Sequence, residues 1–172
     1  MTIVLLGYMG SGKTSIGKRL SSKLNYNFID FDHFIEEKEQ CSVAEIFKRK
    51  GEIYFRKLES KYLNEVLEVE NAVVSLGGGT PCYSNNMVRI SSSENVASIY
   101  LKTSIKTLTD RLLKQMNSRP LIKHLGNYAE LSEFIGKHLF ERNNFYLQSD
   151  ISITTDDKSV EAISVEITER LF

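Results

Sequence analysis

Residues Thr2–Thr14, TIVLLGYMGSGKT, decide how this chain folds. The apolar and β-branched run Thr2–Leu6 leads straight into GYMGSGKT (Gly7–Thr14), which fits G-x-x-x-x-G-K-[ST] at every fixed position. The residues that follow, SIGKRLSSKL, place Ile16, Leu20 and Leu24 at helical spacing. A buried strand, a glycine loop and a helix N-terminus, in that order, are the context a phosphate-binding loop requires. Glycines at 7, 10 and 12 allow positive φ and bring backbone N–H groups close to phosphate oxygens with no Cβ in the way. The helix dipole then faces an anion. Lys13 is expected to reach the β- and γ-phosphates and the Thr14 hydroxyl to ligate Mg²⁺, with Gly10, Ser11, Gly12 and Ser15 completing the cradle. A tight strand-to-helix turn with a coincidental Lys-Thr is the competing reading, and the flanks on both sides argue against it. The expected ligand is a nucleoside triphosphate.

Working outward, short runs rich in β-branched residues recur at Thr2–Leu6, Asn27–Ile29, Ala72–Leu76, Val96–Leu101 and Ile151–Thr154. Between them lie helical patterns, such as Phe55, Leu58, Tyr62 and Val66 ahead of the third run. Near-continuous rather than alternating hydrophobicity in the strands predicts an α/β fold, a parallel sheet covered by helices on both faces. In such sheets ligands bind outside the carboxyl ends of the strands, so each strand exit is a place to look for chemistry. The 172 residues hold two prolines, no Ser/Gly linker and no repeat, which predicts a single domain over 1–172. The polar segment KQMNSRPLIKHLG (114–126) lies between two helical patterns and reads as a connector or a mobile loop.

Composition narrows the function. Lys+Arg and Asp+Glu are 22 each, so no excess of positive charge exists to hold a polyanion, and a nucleic-acid binder is disfavoured. Cys41 and Cys82 form no Cys-x-x-Cys pair, and His33, His124 and His138 are scattered, so neither a disulfide framework nor a zinc site is expected. Two unpaired thiols suit a reducing compartment. The opening residues carry no basic flank and the apolar run stops at Leu6, too short for a signal or a membrane span. The expectation is a cytoplasmic protein with no membrane partner.

A water-using switch and a kinase for a small acceptor both remain. The guanine-reading Asn-Lys-x-Asp and the Asp-x-x-Gly of a GTP switch do not occur. The other strand exits do carry polar chemistry. The second run ends in IDFD, where Asp30 and Asp32, two apart, can point to one side of an extended chain. One carboxylate suits Mg²⁺ through water and the other a hydroxyl proton; a helix N-cap beside a solvated neighbour fits equally well. The third run exits into Gly77, Gly78 and Gly79, which suits close approach of backbone to a ligand, or a plain turn. Arg56, in GEIYFRKLE, and Arg142, in ERNNFY, are single arginines without a local partner motif.

Taken together, GYMGSGKT, FIDFD, FRKLE, SLGGG, SRPLI and ERNNFY resemble, in order and separation, the shikimate kinases, over nearly the whole chain. The resemblance implies transfer of the ATP γ-phosphoryl to the 3-hydroxyl of shikimate, on the route to chorismate and the aromatic amino acids. It also implies a nucleoside-monophosphate-kinase type of fold, a three-layer sandwich with a five-stranded parallel sheet in the order 2-3-1-4-5, and a monomer. Carried onto these positions, it implies catalytic roles for Lys13, Asp32 and Arg119, and metal roles for Thr14 and, through water, Asp30. Arg56 and Arg142 would clamp the shikimate carboxylate, with Glu59 orienting Arg56. Gly77, Gly78 and Gly79 would contact the ring hydroxyls. Arg119 would arrive with a lid at about 114–126, adding charge stabilisation and excluding water.

The C-terminal stretch ITTDDKS (Ile153–Ser159) departs from relatives that carry a basic residue near the end of the last strand; Thr154 or Thr155 occupies that neighbourhood. Arg111 is the candidate flat cation for the adenine. The runner-up is another small-molecule kinase of this fold, such as a gluconate kinase, whose substrate also offers a carboxylate and hydroxyls.

Overall fold

The structure is a computed structural model that describes residues 1–116, 119 and 121–172. The strands are β1 (Thr2–Leu6), β2 (Asn27–Asp30), β3 (Ala72–Ser75), β4 (Val96–Lys102) and β5 (Ile151–Thr154). They pair in parallel in the order β2-β3-β1-β4-β5, as the motif resemblance implied. The helices are α1 (Lys13–Leu24), α2 (Phe31–Glu39), α3 (Val43–Leu67), α4 (Asn86–Ser92), α5 (Ile105–Leu113), α6 (Tyr128–Tyr146) and α7 (Val160–Leu171), with a 3₁₀ turn at Thr80–Cys82.

The central strand explains why the hydrophobic runs do not alternate. Every residue of β1 is buried. Ile3 and Leu5 face a layer built with Ile16 and Leu20 of α1 and Ile163 and Ile167 of α7. Val4 and Leu6 face the opposite layer, which includes Phe31, Leu63, Met87 and Ile135. Side chains two apart share a face, so a strand covered on both sides must be apolar at every position. Because β1 lies between β3 and β4, the loops leaving β1 and β3 are neighbours, and Leu76 N donates to Leu5 O at 3.2 Å.

Two local features aim the helices that carry the remaining candidates. Ser42 and Glu45 form a capping box at the start of α3, whose backbone breaks at Gly51 (φ 79°, ψ 175°). That positive φ favours glycine, and it sets the direction of the second segment, which carries Arg56 and Glu59. Helix α6 is capped by Asn127, whose side chain accepts from Glu130 N at 3.0 Å, and it presents Arg142 and Tyr146 one turn apart. No described helix is long and apolar enough to cross a membrane.

Candidate active site

The loop after β1 turns through three glycines at positive φ, Gly7 (144°), Gly10 (83°) and Gly12 (97°), and Gly12 is the N-cap of α1. Lys13 is therefore the first helical residue, with its ammonium curled over the loop, donating to Gly7 O at 2.8 Å and Tyr8 O at 3.0 Å. Burial pushes this ammonium down to about 8, against the pull of the Asp32 and Asp30 carboxylates. Arg111 of α5 donates to Gly10 O at 3.0 Å and so braces the loop from the far side. Ser11 is buried inside the loop and its Oγ has no partner, whereas Thr14 and Ser15 are exposed.

Asp30 and Asp32 do not sit on one extended chain, as the spacing suggested. The chain turns helical at Phe31, so Asp30 is the last residue of β2 and Asp32 lies in the first turn of α2. Both still face the phosphate loop, and the Thr14 hydroxyl donates to Asp30 Oδ2 at 3.3 Å. Asp30 occupies the N-cap position but makes no side-chain cap bond, so the N-cap alternative does not account for its carboxylate. Oδ1 of Asp32 is buried with no partner. Burial, then the Glu59 and Asp30 charges, push this carboxyl up to about 6, with Lys13 opposing. Such a carboxylate is suited to taking a proton near neutral pH.

The oxygens of Thr14 and Asp30 fit a hard cation. No group of three or more His, Cys, Asp or Glu capable of holding a metal occurs among the described residues. A metal here would thus draw on one or two protein oxygens and complete its shell from phosphates and water, which is the habit of Mg²⁺.

A second group of charges meets at the triple glycine. Arg56 Nη1 donates to Glu59 Oε2 at 2.7 Å and Nη2 to Glu52 Oε1 at 2.9 Å, while its guanidinium lies 4.3 Å from the centre of the Tyr83 ring. Glu59 is 1% exposed, and its other oxygen accepts from the Thr80 hydroxyl. A Cβ on Gly79 would lie 2.7 Å from Arg56 Nη1. At Gly78 it would lie 3.7 Å from Arg142 Nη1, and 3.4 Å from Met9 N in the phosphate loop. Gly79, like Gly77, therefore admits the protein's own functional groups, a reason for glycine beside the close backbone approach to a ligand, or the plain turn, that the sequence offered.

These parts border a cavity of about 430 Å³ lined by the phosphate loop, Asp30, Asp32, Gly77, Gly78, Arg111 and Arg119. Arg119 donates from Nε to Gln115 Oε1 at 2.9 Å. Of the segment expected to form a lid, residues 117, 118 and 120 lie outside the described residues. Arg56, Glu59, Gly79 and Arg142 do not line this cavity; Glu59 adjoins Gly77, Arg142 adjoins Gly78 and Arg56 adjoins Gly79.

Sequence reasoning missed several neighbours. Glu52 precedes Arg56 by four residues, a spacing that signals a helical ion pair. Lys158, Val160 and Ile163 line the cavity together with Arg111, so a basic residue after the last strand, Lys158, borders it. Thr155 is instead fully buried with its hydroxyl 2.6 Å from that of Thr103, and Thr154 is exposed as the final residue of β5. Thr80 and Tyr146 carried no local signal.

A family model described as shikimate kinase matches residues 9–172. Among curated proteins, the chain is 49% identical to a shikimate kinase of Flavobacterium psychrophilum over 171 residues, covering 99% of this chain and 98% of that one. Among solved structures, it is similar to shikimate kinase from Bacteroides thetaiotaomicron, with a TM-score of 0.90 at 36% identity, covering 99% and 98% of the two chains. It is also similar to shikimate kinase from Acinetobacter baumannii in complex with shikimate, with a TM-score of 0.88 at 27% identity, covering 99% and 92%.

Proposed function

The chain belongs to the shikimate kinase family, and from that premise we propose how its own residues divide the transfer of the ATP γ-phosphoryl to the 3-hydroxyl of shikimate. Phosphotransfer asks little covalent chemistry of a protein; it asks for positioning and for charge where charge moves. Lys13 meets the β- and γ-phosphates, leaving the loop carbonyls it now bonds. Thr14 and, through water, Asp30 would hold Mg²⁺, which would supply positive charge against the phosphates. Gly10, Ser11, Gly12 and Ser15 cradle the phosphates, and Arg111 lies against the base.

On the acceptor side, Asp32 takes the hydroxyl proton. Arg56 and Arg142 clamp the shikimate carboxylate, matching a planar fork to a planar anion. Glu59 holds Arg56 in place, and the backbone of Gly77, Gly78 and Gly79 reads the ring hydroxyls. Arg119 brings its cation to the transferring phosphoryl group as the segment at about 114–126 closes and excludes water.

The observation that carries this reading is that the triple glycine Gly77–Gly79 adjoins two unlike groups of charge. One is Lys13, Asp30 and the partnerless Oδ1 of Asp32. The other is two guanidinium groups, Arg142 beside Gly78 and Arg56 beside Gly79. A carboxylate held by the arginines leaves a ring hydroxyl to face Asp32 and the phosphate loop. We further propose that the enzyme is a monomer and acts in the cytoplasm, the compartment that the free thiols Cys41 and Cys82 suit.

The test is ADP release from ATP and Mg²⁺ with shikimate, gluconate or a nucleoside monophosphate as acceptor. Shikimate-dependent turnover is expected. Turnover with gluconate instead would keep the phosphate-loop argument and remove the acceptor assignment.

A further inference from the structure

Tyr146 ends α6, four residues after Arg142, so the two side chains leave the helix on the same face. The residue is fully buried, and its hydroxyl donates to the carbonyl oxygen of Gly78 at 2.5 Å. We propose that Tyr146 is a positioning residue: by tethering Gly78 to the helix that carries Arg142, it sets the span between the ring-hydroxyl reader and the carboxylate clamp, and so contributes to acceptor selectivity.

The geometry supports this at both ends. A Cβ on Gly78 would lie 3.7 Å from Arg142 Nη1 and 3.5 Å from Gly7 O, so Gly78 is wedged between the clamp and the phosphate loop. A glycine turn has many backbone conformations available, and a single fixed carbonyl removes most of them. In a trans peptide the C=O and the next N–H point in opposite directions, so fixing Gly78 O toward α6 also directs the Gly79 N–H away from it. Burial raises the Tyr146 phenol far above its ordinary range, so the hydroxyl stays a donor at every working pH. The tyrosine is itself held by the Tyr100 ring, 5.1 Å away between centroids.

This inference rests on reading Gly78 and Arg142 as shikimate contacts, so the experiment separates the two. Wild type, Tyr146→Phe and Tyr100→Phe are assayed with shikimate and with an analogue lacking one ring hydroxyl. Tyr100→Phe is the control: it loses a part-buried bond of Tyr100 Oη to Asn143 Oδ1 (3.0 Å) on the same helix without touching Gly78. Tyr146→Phe loses the bond to Gly78 O and the contact of its hydroxyl with Arg142, which should raise the shikimate KM about tenfold and shrink the preference for shikimate over the analogue about as much. Its kcat should stay within about twofold and the KM for ATP should not move, because the phosphates are met by other residues. Tyr100→Phe should keep wild-type KM and selectivity.

Wild-type KM and selectivity in Tyr146→Phe overturn the proposal. So do equal shifts in both variants, which would mean only that α6 had loosened. A wild type that releases no ADP with shikimate removes the acceptor assignment, and this inference with it.

Discussion

A Cβ on Gly77 would lie 2.8 Å from Oδ1 of Asp32 and 2.9 Å from the Thr80 hydroxyl. The first glycine after β3 is therefore a glycine because the carboxylate at the start of α2 occupies the space of its side chain. Gly77→Ala should displace Asp32 while leaving the phosphate loop in place. Misplacing a reacting group by about 1 Å costs on the order of 10²-fold. Steady-state kinetics should show that loss in kcat, with the KM for ATP unchanged; a wild-type kcat would show that Asp32 is not the group that takes the proton.

The pH dependence follows from two buried groups. Asp32, pushed up to about 6, is an ionised base only above that value, and Lys13, pushed down to about 8, is a cation only below it. kcat/KM measured across pH should rise through the first value and fall through the second, each limb about tenfold per unit. Stability runs the other way for Asp32. Its folded carboxyl binds a proton more tightly than the ordinary 3.8, so its contribution is complete below about 4 and lost as pH rises through about 6. Asp32→Asn should melt higher than wild type at pH 7.5, with the difference gone by pH 4.

Arg56→Ala should raise the shikimate KM with little change in kcat, since a carboxylate remote from the reacting oxygen is bound alike before and during transfer. A lost hydrogen bond to a charged group costs about 1.5–3 kcal/mol. The same change strands Glu59, which is 1% exposed, without its cation, so the variant should also melt lower. Adding Glu59→Gln should recover the melting temperature and leave KM high. Recovery of KM in the double variant would remove Arg56 from the clamp.

Lys13→Ala and Arg119→Ala should each lower kcat by on the order of 10²-fold, because in the proposed roles they meet charge on the moving phosphoryl group. Single-turnover rates separate this from slow product release. Rates equal to wild type would return Arg119 to its contact with Gln115 alone.

Away from the site, Asp150 fastens β5 to β4. Its Oδ2 accepts from Ser98 N at 2.8 Å and Ser98 Oγ at 2.6 Å, and Ser98 is fully buried. Asp150→Ala removes bonds to a carboxylate worth about 1.5–3 kcal/mol, a fall in melting temperature of several degrees for a chain of this size. Activity at low temperature should persist. A melting temperature equal to wild type would show that water replaces both bonds.

Much of this molecule is legible in its sequence. The five apolar runs became the five strands, within a residue at their ends; β1 and β3 are buried throughout, as strands covered on both faces must be, while β2 and β5 at the sheet edges are partly exposed. Ile16 and Leu20, and Phe55, Leu58, Tyr62 and Val66, are all buried as their spacing predicts. Asp30 and Asp32 were legible as chemistry and misread as geometry: the spacing holds for a strand, and the chain turns helical between them. The stretch after the last strand was legible only in part. Thr155 looked available beside the last strand and is fully buried against Thr103, while Lys158, after the loop turns, reaches the cavity.

By itself the sequence determined the phosphate loop, the parallel sheet and the family, because each depends on residues close in the chain: glycines that permit a turn, a helix start that follows it, apolar runs that must be buried. Only the tertiary structure decided what surrounds the acceptor side. Arg56 and Gly79 meet there, as do Arg142 and Gly78, and the bond from Tyr146 to Gly78 spans 68 residues. Contacts of that kind follow no local period or spacing rule. They exist because the order of strands brings the exits of β1 and β3 together and packs α3 and α6 around them.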